Sequence, residues 1–183
     1  MANEPAHENI VLSPEEEGHL FEEAFFNFIP AFDRSKLRQS NTQIISFKNS
    51  LTEVMQCQHS FPWDTKEPKT ELATTLFNAV KSNLSKGTAK KLLLYCALGT
   101  TLDFVFRVDG FFILGNNYLS PVTFDLARTD NAAKRRKLMA NGLITISDMK
   151  DPNRVQEIAL AIAKRLHKAL CKRIPSPYFG PLW

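Results

Sequence analysis

Residues 102–137, LDFVFRVDGFFILGNNYLSPVTFDLARTDNAAKRRK, decide how this chain is read. Two aspartates, Asp109 and Asp125, each interrupt a short β-rich apolar run, and a cationic segment follows at once. A buried strand has little reason to carry a carboxylate, because an unpaired charge there costs several kcal/mol or titrates to neutral. A pair of them on neighbouring strands is explained if they hold a divalent cation. A cation beside a basic surface points toward phosphodiester chemistry.

Working outward, Leu102–Val108, Gly110–Leu114 and Val122–Ala127 read as three strands with short connections, hence an antiparallel meander. Thr129 or Asp130 can cap a helix over 131–140, which Asn141-Gly142 ends. Leu143–Ser147 reads as a fourth strand, parallel to one of the first three because a helix precedes it. Asp151-Pro152 opens the longest helix, to about Cys171, with Val155, Ile158, Ala159, Ile162, Leu166 and Leu170 on one face.

Upstream of the meander, Thr70–Leu84 is amphipathic, with Leu72, Leu76, Phe77, Val80 and Leu84 at helical spacing. After a break at Ser85-Lys86-Gly87, Thr88–Leu98 continues as an apolar helix. Ser13-Pro14-Glu15-Glu16-Glu17 is a strong helix start, with Ser as N-cap, Pro first and acids in the first turn. That helix should run to Ile29 ahead of Pro30, with Leu20, Phe21, Ala24, Phe25 and Phe28 as its apolar stripe. Ile44–Gln56 is helical or mixed, and 59–68 reads as a loop. The expected organisation is an N-terminal helical extension (1–68), a core (69–174) and an aromatic tail (175–183).

Composition bounds the rest. At 183 residues, 44% hydrophobic and 23% charged, the chain fits one well-buried domain and not a disordered one. No apolar run approaches the ~20 residues that span a bilayer, and the acidic N-terminus lacks a signal-peptide pattern. Cys57, Cys96 and Cys171 form no CxxC pair and read as buried, reduced thiols, which suggests the cytoplasm. His7, His19, His59 and His167 show no metal-ligand spacing. Net charge is +4, but residues 1–33 hold eight acids and no Lys or Arg, whereas 134–173 hold eleven Lys or Arg and three acids. The basic end is the natural place for a polyanion, although either charge run is also an ordinary solvated helix face.

The α-β-β-β-α-β order with these two aspartates resembles the core of the PD-(D/E)XK, or restriction-endonuclease-like, nuclease superfamily, over roughly residues 70–170. The fold class is therefore α/β (α+β): a mixed four-stranded sheet flanked by helices, in the order α-β-β-β-α-β-α with extra N-terminal helices. The resemblance implies Mg²⁺ (or Mn²⁺) held by Asp109, Asp125 and the Leu126 carbonyl, with water activated for attack on DNA. It also implies an acid on the preceding helix, Glu71, with Glu22 and Glu23 as alternatives if the N-terminal helix folds over the site. The family's lysine belongs two residues after the third-strand acid, on the same face. That position is Ala127, so Lys134 on the following helix takes the role, with Lys137 second. Arg128, Lys134, Arg135, Arg136 and Lys137 would contact phosphates, and Lys164, Arg165, Lys168, Lys172 and Arg173 extend the basic region.

Each residue also has a plainer role. Val-Asp109-Gly is good hairpin chemistry. Asp125 suits a partner for a buried Arg or Lys, Asp103 a cap, Glu71 a first-turn acid, and 134–137 a solvated helix face. Ala127 in the lysine position favours a rival function, a catalytically inactive nuclease-fold module that binds nucleic acid or a protein. A third option is an interaction protein using the acidic helix or the aromatic tail. The sequence leaves a protein partner or homodimer open and offers no membrane span.

Overall fold

The computed structural model describes residues 13–27, 46–58, 63–115, 120–129 and 141–172. The helix expected over 131–140, with Lys134, Arg135, Arg136 and Lys137, and the aromatic tail lie outside the described residues. The described elements are α1 (Pro14–Phe26), α2 (Phe47–Cys57), α3 (Glu71–Ser82), α4 (Lys86–Ala89), β1 (Leu92–Cys96), α5 (Thr101–Phe106), β2 (Gly110–Leu114), β3 (Val122–Ala127), β4 (Gly142–Thr145), α6 (Ile146–Lys150) and α7 (Pro152–Lys172).

The strands form one mixed sheet in the order β1-β2-β3-β4. The first two pairings are antiparallel and β3–β4 is parallel; the β2–β3 and β3–β4 pairings have the directions expected of Gly110–Leu114, Val122–Ala127 and the fourth strand. Val122–Ala127 and Gly110–Leu114 have the bounds read from their patterns. The first strand does not. Leu102–Val108 is not a strand but the short helix α5, and the strand lies inside the segment read as the helix Thr88–Leu98.

Two physical facts account for the exchange. A five-residue apolar run such as LLLYC cannot be assigned to helix or strand by periodicity alone. In the sheet it alternates, Leu92, Leu94 and Cys96 buried and Leu93 and Tyr95 half-buried. The sequence TTLDFVF carries a cap instead. Thr100 accepts from the Leu102 N–H at 3.2 Å, and Asp103 Oδ2 accepts from the Gly99 N–H at 2.9 Å. Thr-x-x-Asp is capping spacing, and it starts a helix.

The outer edge of β1 is closed by the segment before α3. The Leu94 N–H donates to the Thr65 carbonyl at 2.9 Å, the Trp63 indole donates to the Leu94 carbonyl at 2.9 Å, and Gln58 Oε1 accepts from the Cys96 N–H at 3.1 Å. An edge strand whose ladder groups are already bonded does not recruit another chain. At the other side, buried Asn141 ties β4 to β3 through Thr123, accepting from its N–H at 3.0 Å and donating to its carbonyl at 3.0 Å.

One face of the sheet (Leu92, Leu94, Phe112, Phe124, Leu126) packs against α1, α3 and α7, and the other (Phe111, Ile113) packs against α2 and α5. The N-terminal segment thus supplies Phe21, Phe25, Phe26 and Trp63 to the main core. The stripe of α1 is rotated from the expected one: Phe26 is buried, while Leu20 is 49% exposed and Ala24 is exposed. The helix stops at Phe26 because Asn27 adopts a left-handed conformation (φ 51°). Leu170, expected on the buried face of α7, is exposed. Cys96 is buried as expected, but Cys57 is exposed. No described helix is long and apolar enough to cross a membrane.

Gly110 marks the tightest point of this packing. A Cβ there would stand 2.5 Å from Phe124 Cζ and 2.8 Å from Phe26 Cζ, two rings stacked at 6.4 Å. Gly110→Ala is expected to cost about 1–3 kcal/mol through overpacking. For a chain of this size, that lowers the melting temperature by roughly 2–12 °C. An unchanged thermal melt would contradict the clamp.

Candidate functional site

Asp109 stands immediately before β2, and Asp125 lies near the end of β3. The antiparallel register pairs Gly110 with Phe124, so one further step places Asp109 opposite Asp125. Both are buried, at 3% and 5% exposure. Asp109 is not in a hairpin turn. It follows α5, which ends with Arg107 in a left-handed conformation (φ 54°), and its glycine neighbour serves the Phe26–Phe124 packing.

Asp109 is bonded into the strand beside it. Its N–H donates to the Phe124 carbonyl at 3.0 Å, its carbonyl accepts from the Ala97 N–H at 2.8 Å, and its Oδ2 accepts from the Leu126 N–H at 2.6 Å. The carboxylate thus stands in for a ladder partner where β2 has ended, leaving Oδ1 for a second partner. Asp109→Asn keeps that acceptor and is expected to melt at or above wild type in metal-free buffer. Asp109→Ala strands the buried Leu126 N–H and should lose about 1–3 kcal/mol. Equal melts for the two variants would contradict this role.

Two further acids join from opposite sides of the sheet. Phe25 and Phe26 of α1 pack on Phe124 at ring separations of 5.8 and 6.4 Å, and the Thr70 hydroxyl donates to the Phe25 carbonyl. That docking carries Glu22, one turn earlier, to the end of the sheet. From the other face, the cap of α5 brings Asp103.

The electrostatics record the convergence. Burial pushes the Asp109 carboxyl well above the usual carboxylate range, and the charges of Asp125, Glu22 and Asp103 push it further against the Leu126 N–H. Burial also raises Glu22, opposed by the His19 hydrogen bond and reinforced by Asp103 and Asp125. Burial raises Asp103, opposed by the Gly99 N–H, Arg107 and His19 and reinforced by Asp125. The charges of Glu22, Asp103 and Asp125 thus all act on Asp109, whose backbone stands beside the carboxyl ends of β1 and β3.

The other expected residues fall as follows. Glu71 is exposed at the first position of α3, and the helix acid whose charge raises Asp109 is Glu22. Arg128 is exposed just after β3 and forms an ion pair with Glu17 of α1. The Leu126 side chain is in the core and its backbone pairs with Ile144 of β4. Ala127 is buried, paired with Thr145. Lys134, Arg135, Arg136 and Lys137 lie outside the described residues.

Among the described residues, no group of three or more His, Cys, Asp or Glu side chains is arranged to hold a metal ion. The donor chemistry nonetheless suits a hard divalent cation: Mg²⁺ takes oxygen ligands, is commonly held by one or two carboxylates, and keeps several waters. Sequence reasoning missed Asp103 as a neighbour of the aspartates, although Thr-x-x-Asp at 100–103 is capping spacing.

No family model, no curated protein and no solved structure matches the chain.

Proposed function

We propose that this chain is a metal-dependent nuclease-fold protein that hydrolyses phosphodiester bonds in DNA. The observation that carries the reading is the pairing of buried Asp109 and Asp125 across adjacent strands, with the charges of Asp125, Glu22 and Asp103 each raising the Asp109 carboxyl. A fold keeps such an arrangement at a cost to stability, and a bound cation removes that cost. Asp109 and Asp125 are the protein ligands in this reading. When bound, the ion lowers the pKa of water and neutralises charge on the phosphoryl group.

The chain's own residues do the rest. Leu126 N–H orients the Asp109 carboxylate, and the antiparallel register sets Asp125 opposite it. Glu22 and Asp103 deepen the negative field. Exposed Arg107, whose charge lowers Asp103, would offer its guanidinium to a phosphate of the substrate backbone. The basic residues after β3 would position DNA without reading its sequence.

The test is incubation of purified protein with plasmid and with single-stranded DNA, in Mg²⁺, in Mn²⁺ and in EDTA. Cleavage in either metal, absent in EDTA, is the expected result. One observation favours the rival reading: the lysine position is occupied by buried Ala127. Salt-sensitive DNA binding without cleavage in any divalent metal would support a non-catalytic nucleic-acid-binding module. No binding at low salt would leave a protein-interaction role.

A further inference from the structure

The acid-rich helix and the basic segment meet through Glu17 and Arg128. α1 holds five glutamates and no Lys or Arg, whereas residues 128–137 hold five Lys or Arg and one acid. Arg128 follows the last residue of β3 and stands three residues beyond Asp125, roughly 10 Å along an extended chain. Its Nε pairs with the Glu17 carboxylate. Both side chains reach solvent, at 43% and 28% exposure. The pair is not what docks the helix: Phe25 and Phe26 pack on Phe124, and the Thr70 hydroxyl donates to the Phe25 carbonyl. Glu17 can therefore leave Arg128 while α1 stays in place.

We propose that Glu17 is a built-in competitor for the phosphate that Arg128 takes when nucleic acid binds, so that α1 restrains the chain's own affinity for a polyanion. This rests on the nucleic-acid reading above. Carboxylate and phosphate oxygens are alternative partners for one guanidinium. A phosphate approaching Arg128 meets the Glu17 charge whichever edge of the guanidinium it takes. The magnitudes make this a restraint and not a block. An exposed ion pair is worth only about 1.5–5-fold in an equilibrium, whereas DNA presents a phosphate every ~3.4 Å along each strand. Glu17 also borders a groove of about 320 Å³ that Lys150 shares, which offers the carboxylate a second cation once it leaves.

The experiment is a double-mutant cycle on DNA affinity, read by the anisotropy of a short fluorescein-labelled duplex in EDTA at low salt. Glu17→Gln should bind about 1.5–5-fold tighter than wild type. Arg128→Gln should bind more weakly, and its log–log salt slope should be shallower by about 0.9, the share of one phosphate contact. In the Arg128→Gln background, Glu17→Gln should gain little, because the cation it competes for is gone. Both positions are at the surface, so all three variants should keep the wild-type melt. An equal gain from Glu17→Gln in both backgrounds is bulk charge and overturns the competition. So does a wild type that binds the duplex no less tightly than Glu17→Gln. Failure of both wild type and Glu17→Gln to bind overturns the nucleic-acid reading and this one together.

Discussion

Asp125→Asn is expected to slow metal-dependent cleavage by orders of magnitude while leaving the fold intact. The substitution preserves shape and removes one charge from a buried site that Asp109, Glu22 and Asp103 already crowd. An ion's stabilisation of transition-state charge is worth several kcal/mol, and each ~1.36 kcal/mol is tenfold in rate, so the loss should be roughly 10²–10⁴-fold. The neighbouring carboxyls should ionise more readily once the Asp125 charge is gone, since it raises all three. Plasmid cleavage and a near-ultraviolet circular dichroism spectrum on the same preparation measure both halves. A variant that still cuts in Mg²⁺ and is inert in EDTA would remove Asp125 from the ligand set.

Without metal, the protein should lose stability as pH rises from the acid side toward neutrality, and a divalent cation should restore it. Asp109, Asp103 and Glu22 all hold their protons above the ordinary carboxylate range in the fold, chiefly through burial and then through one another. Across the window from ordinary carboxylate values up to the raised ones, the native state therefore binds more protons than the unfolded chain. Stability then falls with increasing pH. The contribution is fully present below the unfolded values and is lost as pH climbs through the folded ones. Glu22, 23% exposed, contributes less than its more buried neighbour Asp109 because solvent screens it.

A cation that binds only the ionised, folded pocket stabilises by mass action, about 2.7 kcal/mol at a hundred times its dissociation constant. Thermal melts at pH 5 and 7.5, with and without Mn²⁺, read both effects. Wild type should melt lower at pH 7.5 than at pH 5 in EDTA and recover in Mn²⁺, and Asp109→Asn should show a smaller pH change and little metal response. Equal melting temperatures for wild type at the two pH values in EDTA would count against a strained acid pocket.

Part of this was legible in the residues. Val122–Ala127 and Gly110–Leu114 carry their strand bounds in their own composition. Ser13 announces its helix because a capping hydroxyl acts on an N–H three residues away. The stripe Val155, Ile158, Ala159, Ile162 and Leu166 needed only the period of one helix. The nearness of Asp109, just before β2, to Asp125 in β3 follows from the same local reading. The exchange of strand and helix between 92–96 and 101–106 was also avoidable, since the Thr100–Asp103 cap is a signal within four residues.

What no local pattern contained is which distant side chains reach the aspartates. Leu92–Cys96 is a strand because β2 lies alongside to pair with it, and Gln58, Trp63 and Thr65 close its other edge. Glu22 acts on the Asp109 carboxyl because Phe25, edge-on, and Phe26, stacked, pack α1 against Phe124 a hundred residues away. Local hydrogen bonds and hydrophobic period are set by near neighbours and so are written in the chain itself. Burial, and the charge coupling that burial amplifies, depend on surfaces that meet only when the whole core closes.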